Sequence, residues 1–77
     1  MAVGMEDFSG DRLRQARETL GMSQKAFANS IRIGERTLQR LEAGDGVPDV
    51  RELKRISELT GRPLVWFFAQ SEGESDE

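Results

Sequence analysis

The side chains best suited to specific chemistry lie within six consecutive positions near the middle of the chain. They are Glu35, Arg36, Gln39 and Arg40. Arginine and glutamine are the residue types that make paired hydrogen bonds to the edges of guanine and adenine, and a glutamate accepts from the amino group of cytosine. On a helix, these positions form an outward polar side, which indicates hydrogen bonding to nucleic-acid bases. The alternative is an ordinary solvated helix face, since arginine and glutamine are also good helix formers.

The residues for most other chemistry are missing from the sequence. The 77 residues include no Cys and no His, so a Ser-His-Asp or Cys-His site, a disulfide and a thiolate- or histidine-bound zinc cannot be built. Carboxylates are plentiful, but no acid–base pair stands in an apolar pattern that would form a cleft. We therefore expect a protein that is not an enzyme, holds no metal or other cofactor, and acts on no small-molecule substrate.

Charge is distributed unevenly along the chain. The formal net charge is −3, which is unusual for a nucleic-acid binder. Residues 11–69, however, contain all 11 basic residues and only eight of the 14 acidic ones, so this central stretch carries +3 between two acidic ends. We interpret residues 1–7 as a flexible segment and residues 71–77 as a disordered, solubilising tail. A second interpretation of Glu72–Glu77 is a tail that competes with DNA for the basic stretch.

Capping patterns predict four short helices, and a fifth follows them, in one domain that spans residues 8–70. Three N-cap candidates are flanked by apolar residues at the spacing of a hydrophobic staple: Ser9, Ser23 and Gly34. Asp49 and Glu52 have the spacing of a capping box, which starts a fourth helix that runs to about residue 60. Short loops and the lack of alternating apolar stretches predict a compact all-α fold.

The second and third helices have the pattern of a helix-turn-helix. The second runs from residue 24 to about residue 31 and the third from residue 35 to about residue 43, joined by a short turn. The helical period assigns the inward positions of this pair to Phe27, Ala28, Ile31, Leu38 and Leu41. The small side chain of Ala28 would let the two helices cross closely.

Two stretches of the pair carry a resemblance to a known family. Residues 22–28 read Met-Ser-Gln-Lys-Ala-Phe-Ala, and residues 38–44 read Leu-Gln-Arg-Leu-Glu-Ala-Gly. These stretches resemble the "Leu-Ser-Gln-x-x-Leu-Ala" and "Ile-x-x-Ile/Leu-Glu-x-Gly" patterns of the Xre/Cro/lambda-repressor family. The resemblance covers about residues 8–69. It implies a five-helix lambda-repressor-like fold that places the third helix in the major groove of double-stranded operator DNA, usually as a homodimer on a pseudo-palindrome.

The resemblance also implies roles for individual residues. Gln24 matches a residue that holds a phosphate and braces the third helix. Lys25 beside it, at the start of the second helix, supplies a cation that can contact a phosphate. Arg17 and Glu42 match an ion pair that ties the first helix to the end of the third. The positions that match the groove-facing side are Gly34, Glu35, Arg36, Gln39 and Arg40.

The chain departs from the family pattern at several positions. Arg32 occupies a turn position usually held by glycine, and a positive φ there would cost about 1 kcal/mol. Gly34 replaces a Ser or Thr cap, which costs only tenths of a kcal/mol. Glu35 adds an acid near the expected phosphates, and the loop at residues 45–47 lacks bases. We therefore expect few phosphate contacts and modest DNA affinity.

The fifth helix concentrates large apolar side chains. Pro63 suits its first turn, and four residues within five positions follow: Leu64, Trp66, Phe67 and Phe68. A domain this small cannot easily bury all four, so some close the core and one or two left exposed would mark a dimer face. We predict a weak or DNA-assisted homodimer through this face.

Taken together, these patterns favour a sequence-specific DNA-binding transcriptional regulator of the phage-repressor type. The alternative is an antirepressor- or antitoxin-like interaction module that keeps the fold without strong DNA binding, which the pI of about 5.0, Glu35 and Asp45 favour. The longest apolar run, residues 64–69, is far short of the ~20 residues that span a bilayer. The first residues lack the basic and apolar regions of a secretory signal. We therefore expect a cytoplasmic protein with no membrane partner.

Overall fold

The computed structural model describes residues 8–68, and within that range the chain forms five α-helices and no strand. The helices are α1 (Gly10–Thr19), α2 (Gln24–Ser30), α3 (Glu35–Glu42), α4 (Val50–Thr60) and α5 (Leu64–Phe68). This architecture confirms the predicted all-α, five-helix fold. The N-terminal segment 1–7, the expected end of the fifth helix near residue 70 and the acidic tail 71–77 lie outside the described residues.

Side chains cap most of the helix starts. Ser9 and Ser23 each accept a hydrogen bond, at 3.1 Å, from the backbone amide three residues further on. Asp49 forms the expected capping box at the start of α4. These bonds satisfy amide groups that the first turn of a helix leaves without a partner. α2 and α3 end slightly earlier than predicted, because Ile31 and Ala43 are C-cap residues.

The core forms where α2 packs on α3 and where α1 packs on α3 and α5. The five inward positions predicted for the helix-turn-helix are all buried. The buried apolar residues are Phe8, Leu13, Ala16, Phe27, Ala28, Ile31, Leu38, Leu41, Ile56 and Phe67. Since burial of each large apolar side chain contributes about 1.5–3 kcal/mol, this core determines which side of α3 faces outward.

The start of α1 lies against the end of α3 with no room for a side chain. A Cβ atom on Gly10 would lie 2.5 Å from the carbonyl oxygen of Glu42 and would also overlap the backbone of Leu41. Backbone atoms inside a helix cannot move aside individually, so only glycine allows this approach. The contact fixes the C-terminal end of α3 relative to α1.

Phe67 of α5 is a core residue, which corrects its assignment to a dimer face. Its side chain is fully buried, and its ring stacks on that of Phe8 with centroids 6.0 Å apart. The carbonyl oxygen of Phe67 accepts a hydrogen bond from the amide of Ser9 at 2.7 Å. Phe68 is half-buried and meets the Phe8 ring edge-on, at 5.6 Å between centroids. Both phenylalanines therefore join α5 to the start of α1.

Trp66 is also turned toward the domain rather than toward a partner. The guanidinium groups of Arg12 and Arg62 lie over its ring, 4.7 and 4.2 Å from the centroid. Of the four apolar residues predicted to divide between the core and a dimer face, Leu64 alone is exposed, with 39% of its surface accessible, and its neighbour Val65 is 54% exposed. Among the helices of residues 8–68, none is long and apolar enough to cross a membrane.

Candidate nucleic-acid interface

The outward side of α3 is determined by its buried side. Leu38 and Leu41 lie in the core, and Glu42 is buried beside them. With 3.6 residues per turn, Arg36 and Arg40 project from the side opposite Leu38, and both are exposed. We use the term outer face for the four exposed polar residues of this helix that the sequence singles out: Glu35, Arg36, Gln39 and Arg40.

The turn that leads into α3 is a Schellman motif. The amide of Ile33 donates to the carbonyl of Ala28 at 3.0 Å, and the amide of Arg32 donates to the carbonyl of Asn29 at 3.2 Å. Arg32 occupies the left-handed position with a φ of 62°, so the condition under which this departure from glycine costs about 1 kcal/mol is met. Gly34 follows as the exposed N-cap of α3 and makes no side-chain capping bond.

A hydrogen-bonded chain of four side chains joins α1, α2 and α3 and reaches the outer face. Arg17 of α1 donates from Nε and Nη2 to the two carboxylate oxygens of Glu42, at 2.6 and 3.1 Å. Gln24 of α2 donates to Glu42 at 3.1 Å and accepts from Gln39 at 3.4 Å. Because an ionised carboxylate only accepts, Gln24 must direct its amide nitrogen to Glu42 and its oxygen to Gln39. The chain therefore runs from the interior to the outer face.

Arg17 and Glu42 form a buried ion pair at the junction of α1 and α3. Their side chains are only 12% and 6% exposed, and the two parallel hydrogen bonds make the pair bidentate. Nη1 of Arg17 also donates to the carbonyl of Met22 at 2.9 Å. The hydrogen bond to Glu42 raises the pKa of Arg17 above its ordinary value. The guanidinium, which is charged at any physiological pH, thus holds α1 and α3 together through Glu42.

The first turn of α2 supplies an accessible cation and an amide that is partly engaged. Lys25 is exposed and Gln24 is half-buried. Within residues 8–68 the amide nitrogen of Gln24 donates one hydrogen bond, to Glu42, and its second N–H remains for another acceptor. Gln24 thus braces α2 against α3 and can still donate to a phosphate.

Arg40 differs from Arg36 in having a carboxylate neighbour. Its Nε donates to Oδ2 of Asp45 at 3.3 Å, and the two side chains are 65% and 69% exposed. An ion pair this exposed contributes only about 0.2–1 kcal/mol. Within the described range Arg36 makes no ion pair. The outer face therefore presents two guanidinium groups, one of them tethered.

Sequence reasoning did not assign a site role to two exposed residues near the outer face. Thr37 lies in the first turn of α3 and is exposed, so it can bond to a base or a phosphate. The sequence could have indicated this residue, because its position three residues after the N-cap Gly34 places it in the first turn of the helix. Asp45 is the partner of Arg40. Gly44 before it was the available signal, because a glycine after a helix fixes the position of the next residue.

Two crossed short helices, the second with arginines along an exposed side, define the class of helix-turn-helix DNA-binding domains. A family model described as helix-turn-helix matches residues 13–67, a range that includes all of α2, α3 and α4. The chain belongs to this helix-turn-helix family. The resemblance to the Xre/Cro type is thereby confirmed.

Curated relatives from bacteria and an archaeon are similar to this chain. An uncharacterized HTH-type transcriptional regulator of Sinorhizobium medicae and another of Rhizobium meliloti are each 32% identical over 65 residues, which is 84% of this chain and 47% of the relative. An HTH-type transcriptional regulatory protein of Pyrococcus furiosus is 34% identical over 56 residues, 73% of this chain and 18% of that protein. The chain thus spans about half the length of the rhizobial relatives it matches and a smaller part of the archaeal one.

Proposed function

We propose that the chain is a sequence-specific DNA-binding transcriptional regulator that inserts α3 into the major groove of double-stranded DNA. The main support for this proposal is that Arg36 and Arg40 are exposed on a helix whose opposite side is fixed by the core. Residues four apart on a helix are neighbours, so both arginines can reach the same groove. Each can donate two hydrogen bonds to O6 and N7 of guanine. The relatives' names as transcriptional regulators support the same class.

In this proposal, base reading and backbone contact fall on different helices. Arg36 and Arg40 discriminate bases, while Gln39, tied to Gln24, positions its amide toward an adenine or a neighbouring base. Lys25 and the second N–H of Gln24 contact phosphates, which fix register and carry no sequence information directly. α3 thus supplies specificity, and α2 supplies affinity for DNA of any sequence.

The N-terminal end of α3 can add one contact with the DNA backbone to those of α2 in this docking. Gly34 presents no side chain there, so its backbone can come near a phosphate. Glu35 is exposed beside it, and its carboxylate either accepts from a cytosine amino group or weakens non-specific binding. Both effects fit a binder with modest affinity and a high demand for the correct sequence.

We further propose that two copies bind a pseudo-palindromic operator in the manner of phage repressors, with recognition helices about 34 Å apart. The available partner face on α5 is small, with Leu64 and Val65 exposed, which fits a weak or DNA-assisted dimer rather than a permanent one. Sedimentation should find a monomer alone and two copies per operator. One copy bound at full affinity to a single half-site would overturn the dimer.

The test of base reading is selection from a randomised duplex library with the purified chain, at two salt concentrations. Arg36→Ala and Arg40→Ala should each relax guanine preference at one operator position, by about 1–3 kcal/mol. Lys25→Ala is the matched control for charge: it should weaken all sequences alike and reduce the salt slope by about one. If neither arginine variant changes base preference, α3 does not read DNA.

A second candidate function is a protein-interaction module that keeps the fold without strong DNA binding. The observation that favours it is the presence of two exposed carboxylates, Glu35 in the first turn of α3 and Asp45 just after the helix, which lower the positive charge of the outer face. In that case the selection would recover no enriched duplex even at low salt, and Lys25→Ala would have no effect. Both candidates describe a binding protein.

A further inference from the structure

The C-terminal end of α3 is closed by a second Schellman motif, which fixes the position of Asp45. The amide of Asp45 donates to the carbonyl of Arg40 at 2.8 Å, and the amide of Gly44 donates to the carbonyl of Leu41 at 3.1 Å. Gly44 has a φ of 85°, the left-handed conformation that glycine adopts without strain. The backbone of Asp45 is therefore bonded to the backbone of Arg40.

The side chains of the same two residues are joined as well. Oδ2 of Asp45 accepts from Nε of Arg40 at 3.3 Å, and no other hydrogen bond of the Arg40 side chain occurs within residues 8–68. Recognition of guanine needs two adjacent N–H donors, which Nη1 and Nη2 can supply. The contact with Asp45 thus occupies the one nitrogen that end-on recognition of guanine leaves unused.

We propose that Asp45 is a positioning residue that restricts the guanidinium of Arg40 and prepares its Nη edge for guanine at one operator position. The inference rests on the proposed reading of DNA by α3. A free arginine side chain loses much rotamer freedom when it binds, and a partner that restricts it beforehand reduces that loss. Because Asp45 is held by backbone and side chain together, it is better suited to this role than a carboxylate on an unconstrained loop.

The carboxylate also has a second effect, of opposite sign, on binding in general. Its charge repels DNA phosphates and lowers the affinity for every sequence. Asp45→Ala should therefore raise overall affinity while it lowers guanine preference at the Arg40 position. The expected loss of preference is at most about fivefold, the upper limit for an exposed ion pair. Guanine preference at the Arg36 position should not change.

α1 offers a matched control for the loss of charge. Asp11 pairs with Arg14 at 3.3 Å on the surface of α1, the same distance as in the Arg40–Asp45 pair. Asp11→Ala removes the same charge without touching Arg40, so it should leave base preference unchanged at every position. The double variant Asp45→Ala/Arg40→Ala should show the same preference as Arg40→Ala alone.

A measurement on the free protein tests the restriction without DNA. In NMR relaxation, the order parameter of the Arg40 Nε–H vector should exceed that of Arg36 and should fall to a similar value in Asp45→Ala. Equal order parameters for the two arginines in the unmodified chain would overturn the positioning role. Asp45→Asn, which keeps the shape but not the charge, should give an intermediate value.

The outcomes separate this inference from the proposed function. If Arg40→Ala abolishes a guanine preference that Asp45→Ala leaves intact, Asp45 is not a positioning residue and α3 still reads DNA. If Asp45→Ala increases that preference, the carboxylate competes with guanine and the inference is again wrong. If Arg40→Ala itself changes no preference, the reading role of Arg40 and the inference both fail.

Discussion

Two arginine–carboxylate pairs lie on opposite sides of α3 and differ in nearly every physical respect. Arg17 and Glu42 approach to 2.6 Å with side chains 12% and 6% exposed. Arg40 and Asp45 are 3.3 Å apart with side chains 65% and 69% exposed. The buried carboxylate also accepts a hydrogen bond from Gln24, so it belongs to a network. The exposed pair has a single hydrogen bond between its side chains.

The contrast shows how one short helix serves both structure and binding. Removal of charges from water is costly, so a buried pair is stable only while both partners remain. An exposed pair is worth little, and its arginine keeps N–H groups that can donate to a base edge or a phosphate. α3 therefore directs stabilising contacts inward and available donors outward. Substitutions on the two sides should have separable effects.

The largest expected effect comes from breaking the buried pair. Arg17→Ala or Glu42→Ala leaves a buried charge without its partner and should lower the free energy of unfolding by about 3–5 kcal/mol. The double variant should lose less than the sum of the two single losses. Denaturant unfolding of the three variants measures this coupling. Strictly additive losses would show that the two side chains do not stabilise each other.

The next effect concerns the close approach that holds α3 in place. Gly10→Ala puts a Cβ atom against the backbone of α3, and overpacking of this kind costs about 1–3 kcal/mol. Thermal unfolding should show a clear decrease in Tm. Gly34→Ser is the control, because a Cβ there meets only Thr37 Oγ1 at 3.8 Å and the new hydroxyl can cap α3. An unchanged Tm for Gly10→Ala would mean that α1 and α3 separate easily.

A substitution in the turn between α2 and α3 should raise the stability of the fold rather than lower it. Arg32→Gly removes the strain of a φ of 62° but adds freedom to the unfolded chain, so the net gain should be at most about 1 kcal/mol. For a domain of this size that corresponds to a rise in Tm of up to about 4–8 °C. Arg32→Ala removes the same charge but keeps the strain, and it should give no such rise. A decrease in Tm with glycine would contradict the strain argument.

The smallest effect on stability should come from the outer face. Arg36→Ala and Arg40→Ala change exposed residues away from the core, so the free energy of unfolding should change by no more than about 0.5 kcal/mol. Denaturant unfolding checks this directly. A loss of about 2 kcal/mol or more, which is far above the range of exposed residues, would show that the outer face is structural and would remove the distinction between the two sides.

Sequence patterns predicted the helices and much of the site because their signals are local. Ser9, Ser23 and Asp49 act on amide groups within the same turn, and the helical period identified Leu38 and Leu41 as buried. Once those positions face inward, the geometry of a helix places Arg36 and its neighbours outward. The resemblance added the pairing of α1 with α3, which no local pattern contains.

The sequence by itself therefore determined the helix starts, the buried stripe and the side of α3 available for binding. Only the tertiary structure decided that Phe67 is buried, because its position depends on Phe8 near the other end of the chain. It also decided that Gln24 joins Glu42 to Gln39, since that contact needs α2 and α3 at a fixed separation. Capping and periodicity arise within a turn or two of helix, whereas these contacts depend on how separate helices pack.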